Sequence, residues 1–180
     1  IGFSYCFLAL FISFSTAQYN KDNEFTASLP VPRKSIVLAK HITFVFVELL
    51  QLAAAIPFAL ISTFIINKNG NLVGLDANFT LFGVMFLCFG LINIIVLPWF
   101  FKTGYKIGIP FVIAIFVYVI LYVAIELTIQ LTMLKNILDG TTAQYAVYRL
   151  AVLFFGVIAY CILTYAAYKK SVKNFEKVNL

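Results

Sequence analysis

Charge is scarce in this sequence. Of its 180 residues only 11% are Asp, Glu, Lys or Arg, while 63% are hydrophobic. A soluble domain carries about one-quarter charged residues and under half apolar ones, and a core has too little volume to hide such an excess. The deficit excludes an ordinary water-soluble globule and leaves lipid as the solvent. Catalytic signatures are missing too. No GxxxxGK[ST] occurs, so ATP is not held in a P-loop of this chain, and HExxH, GxSxG and a Cys–His pair are all absent. Cysteine is limited to Cys6, Cys88 and Cys161, each inside an apolar run and at no metal-ligand spacing. They read as small core residues, and no metal site is expected.

What is present is a series of long, continuous apolar runs. Spanning strands would alternate in polarity over short stretches, whereas in lipid a continuous run satisfies its own backbone only as a helix. With about 20 apolar residues needed per span, we read an all-α, polytopic integral membrane protein with about five spans. They cover residues 1–17, 41–66, 79–101, 109–134 and 145–168, forming a single transmembrane domain over residues 1–180, with a polar loop at 18–40 and a polar tail at 169–180.

The net charge of +6 arises from 13 basic and 7 acidic residues. The basic residues border the apolar runs, which points to a bilayer with an anionic inner leaflet and not to nucleic acid. Lys21, Arg33, Lys34, Lys40, Lys102, Lys106, Lys169, Lys170, Lys173 and Lys177 fall in segments that share one side of a five-span topology, against Lys68, Lys135 and Arg149 on the other. The positive-inside rule places the ten in the cytoplasm, with the C-terminus. Ile1 then starts outside, within an apolar run lacking a basic leader. A further upstream span is therefore expected, giving six in the full protein.

The loop at 18–40 carries the densest signal. Pro30 and Pro32 interrupt any helix, and RKSIVLAKHI after them can form a short helix at the inner surface, with basic Arg33, Lys34 and Lys40 beside apolar Ile36, Val37 and Leu38. Such a face docks a cytoplasmic partner or anchors the chain through snorkelling lysines. Inside the spans, Glu48 with Gln51 and Glu126 with Gln130 each share a helix face. These residues form a polar substrate path or subunit interface, or else helix–helix hydrogen-bond clamps. Glu48 lies roughly 10 Å and Glu126 roughly 26 Å from the inner ends of their spans, which argues against a catalytic acid pair. His41 reads as an interfacial anchor, Asn93, Pro98 and Pro57 as kink positions, and Trp99, Tyr105, Tyr145, Tyr148, Tyr165 and Tyr168 as interfacial belts. The phenylalanines read as mostly lipid-facing bulk.

The segment from Tyr19 to His41 resembles the ABC-2 type permease family of Gram-positive bacteria, which carries a SLPVSRKxIVxxKY-like motif. Ser28, Leu29, Pro30, Val31, Arg33, Lys34, Ile36, Val37 and Lys40 match it, while Pro32 and His41 depart from it. PWFFKTGYKIG, Pro98 to Gly108, is similar to the family's P-x-x-[FY]-[KR]-x-G-Y-x-K-G turn, with Lys106 one place early. The tail YAAYKKSVKNFEK resembles its closing segment. The resemblance implies an exporter permease coupled to a separate ABC ATPase subunit, which would hold the ATP and Mg²⁺ while this chain holds no cofactor. It implies ATPase coupling through Ser28, Leu29, Pro30, Arg33, Lys34, Ile36 and Lys40. It also implies a second permease copy or paralogue, location in the plasma membrane, and export of a peptide, lipid or drug, with phenol-soluble-modulin-type exporters as one subset. Two alternatives remain open: a non-transporting membrane scaffold or sensor, and a membrane-embedded enzyme using Glu48 and Glu126.

Overall fold

The computed structural model describes residues 3–28, 30–63, 75–104, 106–131, 133–140 and 142–178. Among them there is no strand. The helices are α1 (Ser4–Tyr19), α2 (Asp22–Ser28), α3 (Arg33–Ile61), α4 (Phe79–Lys102), α5 (Gly108–Gln130), α6 (Lys135–Leu138) and α7 (Ala146–Phe175). The protein is thus an all-α polytopic membrane protein. α3, α4, α5 and the segment 143–175 are each long and apolar enough to cross a bilayer. α1, at the first expected span, is shorter: its 16 residues reach about 24 Å.

Local chemistry sets the boundaries. Pro32 is the last extended residue before α3, at φ −61° and ψ 135°, where its missing N–H costs no helical bond. α3 then runs unbroken from Arg33 to Ile61, so the expected surface helix and the second span are one helix. At about 44 Å it is longer than the roughly 30 Å hydrocarbon layer. α4 starts on an Asn cap, the Asn78 side chain accepting from the N–H groups of Thr80 and Leu81 at 2.9 and 3.2 Å. It ends at Lys102, and two residues on the chain turns at Gly104, whose φ of 64° suits a residue without Cβ. Both Pro57 and Pro98 lie within continuous helix.

α4 is the central helix. It packs chiefly along α7, with α5 on another side, and α3 joins the pair mainly through α7. Phenylalanines tie the layers together. Phe7, Phe14, Phe44, Phe89, Phe100, Phe101 and Phe175 are buried, whereas Phe25, Phe46, Phe58, Phe79, Phe116, Phe154 and Phe155 are exposed. The aromatic load is therefore divided between core and outer surface, not mostly lipid-facing. Edge-to-face pairs join α1 to α4 (Phe7–Phe89, 5.5 Å; Phe14–Phe100, 4.3 Å) and α4 to α7 (Phe101–Phe175, 5.4 Å). Each such pair contributes about 0.5–1.5 kcal/mol beyond its buried area.

The α4–α7 contact is set by glycine. A Cβ on Gly83 would lie 2.6 Å from the carbonyl oxygen of Val152, and one on Gly156 would collide with the carbonyl oxygen of Gly83. A Cβ on Gly90, two turns further along α4, would sit 3.0 Å from Cα of Tyr160. Backbones at this separation gain dispersion contacts that bulkier residues forbid, which is how helices associate where lipid removes the hydrophobic drive.

Hydrogen bonds sort the helix ends into two groups. At one end the start of α3 meets the end of α7 through Arg33, and Asn174 of α7 donates to the Pro98 carbonyl near the end of α4, at 2.7 Å. The basic segments around Arg33, Lys102 and Lys170 therefore share one end. At the other, Asp139 and Arg149 bind the loops around α6.

Gly156→Ala should lower stability by about 1–3 kcal/mol through overpacking, read as an earlier thermal unfolding transition in detergent. Gly108→Ala, with nothing within 4 Å of the added Cβ, should stay within about 0.5 kcal/mol of the parent.

Candidate functional site

Halfway along the bundle, α3, α4 and α7 enclose a polar cluster. Glu48 of α3 and Asn93 of α4 are both fully buried. Glu48 Oε2 accepts from the Tyr160 hydroxyl at 2.7 Å and from Asn93 Nδ2 at 3.0 Å, and the same amide donates to Thr164 Oγ1 at 3.1 Å. Tyr160 reaches the carboxyl because the glycine crossing brings α7 close to α4, while its ring packs edge-on to Phe86 at 5.5 Å. Glu48 Oε1 and Asn93 Oδ1 are buried without a donor among the described residues. Two acceptors of the cluster therefore lack a donor there, and the carboxyl is held by neutral groups alone. Charge at such depth costs several kcal/mol, so this geometry makes Glu48 an acceptor that fastens three helices.

The other intramembrane acid is elsewhere. Glu126 is half-buried on α5, which packs on α4 and not substantially on α3, so the structure does not assemble a Glu48–Glu126 pair. Nor does Gln130 extend a polar stripe with Glu126: its Nε2 donates to Asp139 Oδ2 at 2.6 Å. Gln51 lies half-buried on α3. Sequence reasoning assigned Asn93 only to a kink and passed over Tyr160 and Thr164. An amide within a wholly apolar run and a Tyr–Thr pair four residues apart were the available signals.

Gln130 belongs instead to a clasp around α6. Asp139 Oδ1 accepts the Asp76 N–H at 2.6 Å. Asn78 Nδ2 donates to the carbonyls of Leu138 and Gly140 at 2.9 and 3.1 Å, and Thr80 Oγ1 to that of Leu138 at 2.8 Å. Arg149, itself buried, donates to the carbonyls of Ile137 and Thr142. Gly140, at φ 148°, makes the turn that its Asp-Gly dipeptide announces. The starts of α4 and α7 and the end of α5 are thereby bound into one unit.

At the basic end, Arg33 Nη1 donates to three carbonyls, Phe175, Glu176 and Val178, at 3.0, 3.2 and 2.8 Å, and the guanidinium lies 5.6 Å from the Phe175 ring centroid. It caps the C-terminus of α7, whose last carbonyls otherwise lack donors. Lys34 beside it is exposed, as are Pro30 and Ser28, whose Oγ donates back to the Phe25 carbonyl at 2.7 Å. Ile36 is half-buried against the core, and Lys40 reaches Asp22 at 4.0 Å and the Phe14 ring at 5.9 Å. The seven residues expected to contact a partner therefore divide: Ser28, Pro30 and Lys34 face outward, Arg33, Ile36 and Lys40 are turned to the chain itself, and Leu29 lies outside the described residues. So do Tyr105 and Lys68. His41 is not an interfacial anchor. It is buried, donates from Nδ1 to the Val37 carbonyl (2.9 Å), and packs against the Phe101 and Tyr168 rings.

Glu48→Gln should keep the acceptor for Tyr160 and Asn93 and leave unfolding in detergent nearly unchanged. Glu48→Ala, which strands two buried donors, should cost about 1–3 kcal/mol. Equal stability of the two variants would show that the cluster does not hold the bundle.

Comparison with known proteins agrees with this architecture. A family model described as an ABC-2 family transporter protein matches residues 1–176. Neither the curated proteins nor the solved structures contain a match. A multi-pass helical bundle that is covered by this family model almost from end to end belongs to the ABC-2 transporter family, as a permease-type membrane subunit.

Proposed function

We propose that this chain lines the substrate path of an ATP-driven exporter and is moved by a separate nucleotide-binding subunit docking at its basic end. ATP and Mg²⁺ reside on that partner, the basic end and the C-terminus face the cytoplasm, and a second permease copy or paralogue completes the path. One observation carries the reading: the Arg33 guanidinium holds three carbonyls at the end of α7, while Lys34 and Pro30 next to it stand exposed. A partner pressing on the corner between α2 and α3 would therefore act first on α3, with Arg33 passing the load to the end of α7. The ABC-2 membership supplies the expectation of an ATPase partner, and the ten-to-three distribution of basic residues supports the orientation.

Within this reading Lys34 is the contact and Arg33 the positioning residue. Lys34→Glu should reduce coupled transport and permease-dependent ATP hydrolysis by about tenfold, since reversing a contact charge costs on the order of 1.4 kcal/mol or more, and it should leave thermal unfolding unchanged. Arg33→Gln should lower both coupling and thermal stability. Full coupling in a Lys34→Glu/Arg33→Gln double variant that remains folded would overturn the proposal. Cysteine labelling supplies the topological check: a Cys at position 34 should react only with membrane-permeant reagents in intact cells.

A further inference from the structure

A groove of about 410 Å³ opens on the outer surface of the bundle near its basic end. It exists because α5 and α7 both pack on α4 but scarcely on each other, so α4 is left as the floor of a cleft between them. Ile94, Ile95 and Pro98 form that floor and Ile113 of α5 one wall. The opposite wall is Asn174 of α7, fixed by its bond to the Pro98 carbonyl. The basic end of the cleft is rimmed by Trp99, Lys102 and Lys170. Both lysines are exposed, and neither forms an ion pair among the described residues.

The polarity of the groove follows its depth. Ile94 to Lys102 spans about 12 Å of helix, from inside the hydrocarbon up to the headgroup level marked by Trp99. The apolar part is therefore at acyl-chain depth and open sideways to lipid, and two uncompensated ammonium groups stand where a lipid phosphate lies. A soluble protein partner could not reach the deep half, and a zwitterionic headgroup would carry a cation toward two others. We propose that the groove holds one anionic phospholipid from the leaflet at the basic end, an acyl chain along Ile94, Ile95 and Ile113 and its phosphate between Lys102 and Lys170. The site rests on membrane insertion alone and not on ATPase coupling.

Trp99 is the chain's single tryptophan, so the site carries its own reporter. The full chain is reconstituted in phosphatidylcholine vesicles containing a small fraction of phospholipid with brominated acyl chains, bearing either a phosphatidylglycerol or a phosphatidylcholine headgroup, and quenching of Trp99 is measured. The brominated phosphatidylglycerol should be enriched at Trp99 roughly thirtyfold over its bulk fraction, the attraction expected of two lysines at the surface. Lys102→Gln/Lys170→Gln should bring both lipids to equal quenching, and Lys135→Gln, at the opposite end, should keep the preference. Equal quenching by both headgroups in the parent chain, or a preference that survives the double substitution, would overturn the proposal. Circular dichroism of the vesicles confirms that the variants remain helical.

Discussion

The close approach of α4 and α7 at Gly83 and Gly156 is the constraint on which the rest of this bundle depends. A Cβ at either position has no room, so the two backbones touch. In lipid, where burying an apolar side chain against another gains little over burying it against acyl chains, such contact is what separates a defined pair from a loose one. Its consequences run in both directions along the helices. Toward one end it brings Asn78 and Thr80 within reach of the α6 carbonyls. Midway it places Tyr160 against Glu48. Toward the other end it seats Phe175 on Phe101 and Asn174 on the Pro98 carbonyl.

The remaining helices are held by a different kind of bond. α5 keeps most of its surface outward, and α3, though long, shows few buried positions: Val37, His41, Phe44, Glu48 and Leu52. Two of these five are polar. α3 is thus attached to the α4–α7 pair by a carboxyl at mid-depth, an arginine at the basic end and a thin seam of apolar contacts between them. Directional bonds of this kind have modest net worth, whereas at the glycine crossing the two backbones are already in contact.

Much of this was legible in the sequence, and the parts that were not share a cause. Continuous apolar runs dictate helices in lipid, so the bounds of α4 follow almost residue by residue from where charge resumes at Lys102, whereas α5 ends at Gln130, four residues short of the expected 134. Pro32 marks the start of α3 for the same local reason. Which face of a helix meets which neighbour leaves no such trace, because in this chain the lipid-facing and protein-facing sides are equally apolar and amphipathic periodicity is lost. That is why phenylalanines at positions 89, 100 and 101 could not be told from Phe154 and Phe155, and why His41 read as an anchor although it is packed among rings. Polar groups mislead in a subtler way: Gln130 shares a helix face with Glu126, yet its partner is Asp139, nine residues on across a turn. Spacing on one helix identifies candidates, and only the fold selects among them.

The two ends of the molecule differ in what they can transmit. Around α6, Asp139, Asn78, Thr80, Gln130 and Arg149 cross-link three helices through bonds to backbone and side chain, so displacing any one strand of the clasp would break several bonds at once. At the basic end the Arg33 guanidinium joins α3 to α7, and beyond it, among the described residues, α3 meets its neighbours through His41 against Tyr168 and a thin seam of buried side chains. A force applied near Lys34 would therefore spend itself on the weakest element, the seam along α3, before it disturbed the α4–α7 pair or the distant clasp. Glu48 lies on that seam. Any shift of α3 against α7 must either carry Tyr160 and Asn93 along or release a carboxyl from its two donors at mid-depth, where water is not at hand to replace them. The cluster thereby sets the cost of displacing α3 against α7, since two donors and a carboxyl would be left unpaired at about 1–3 kcal/mol for each buried group.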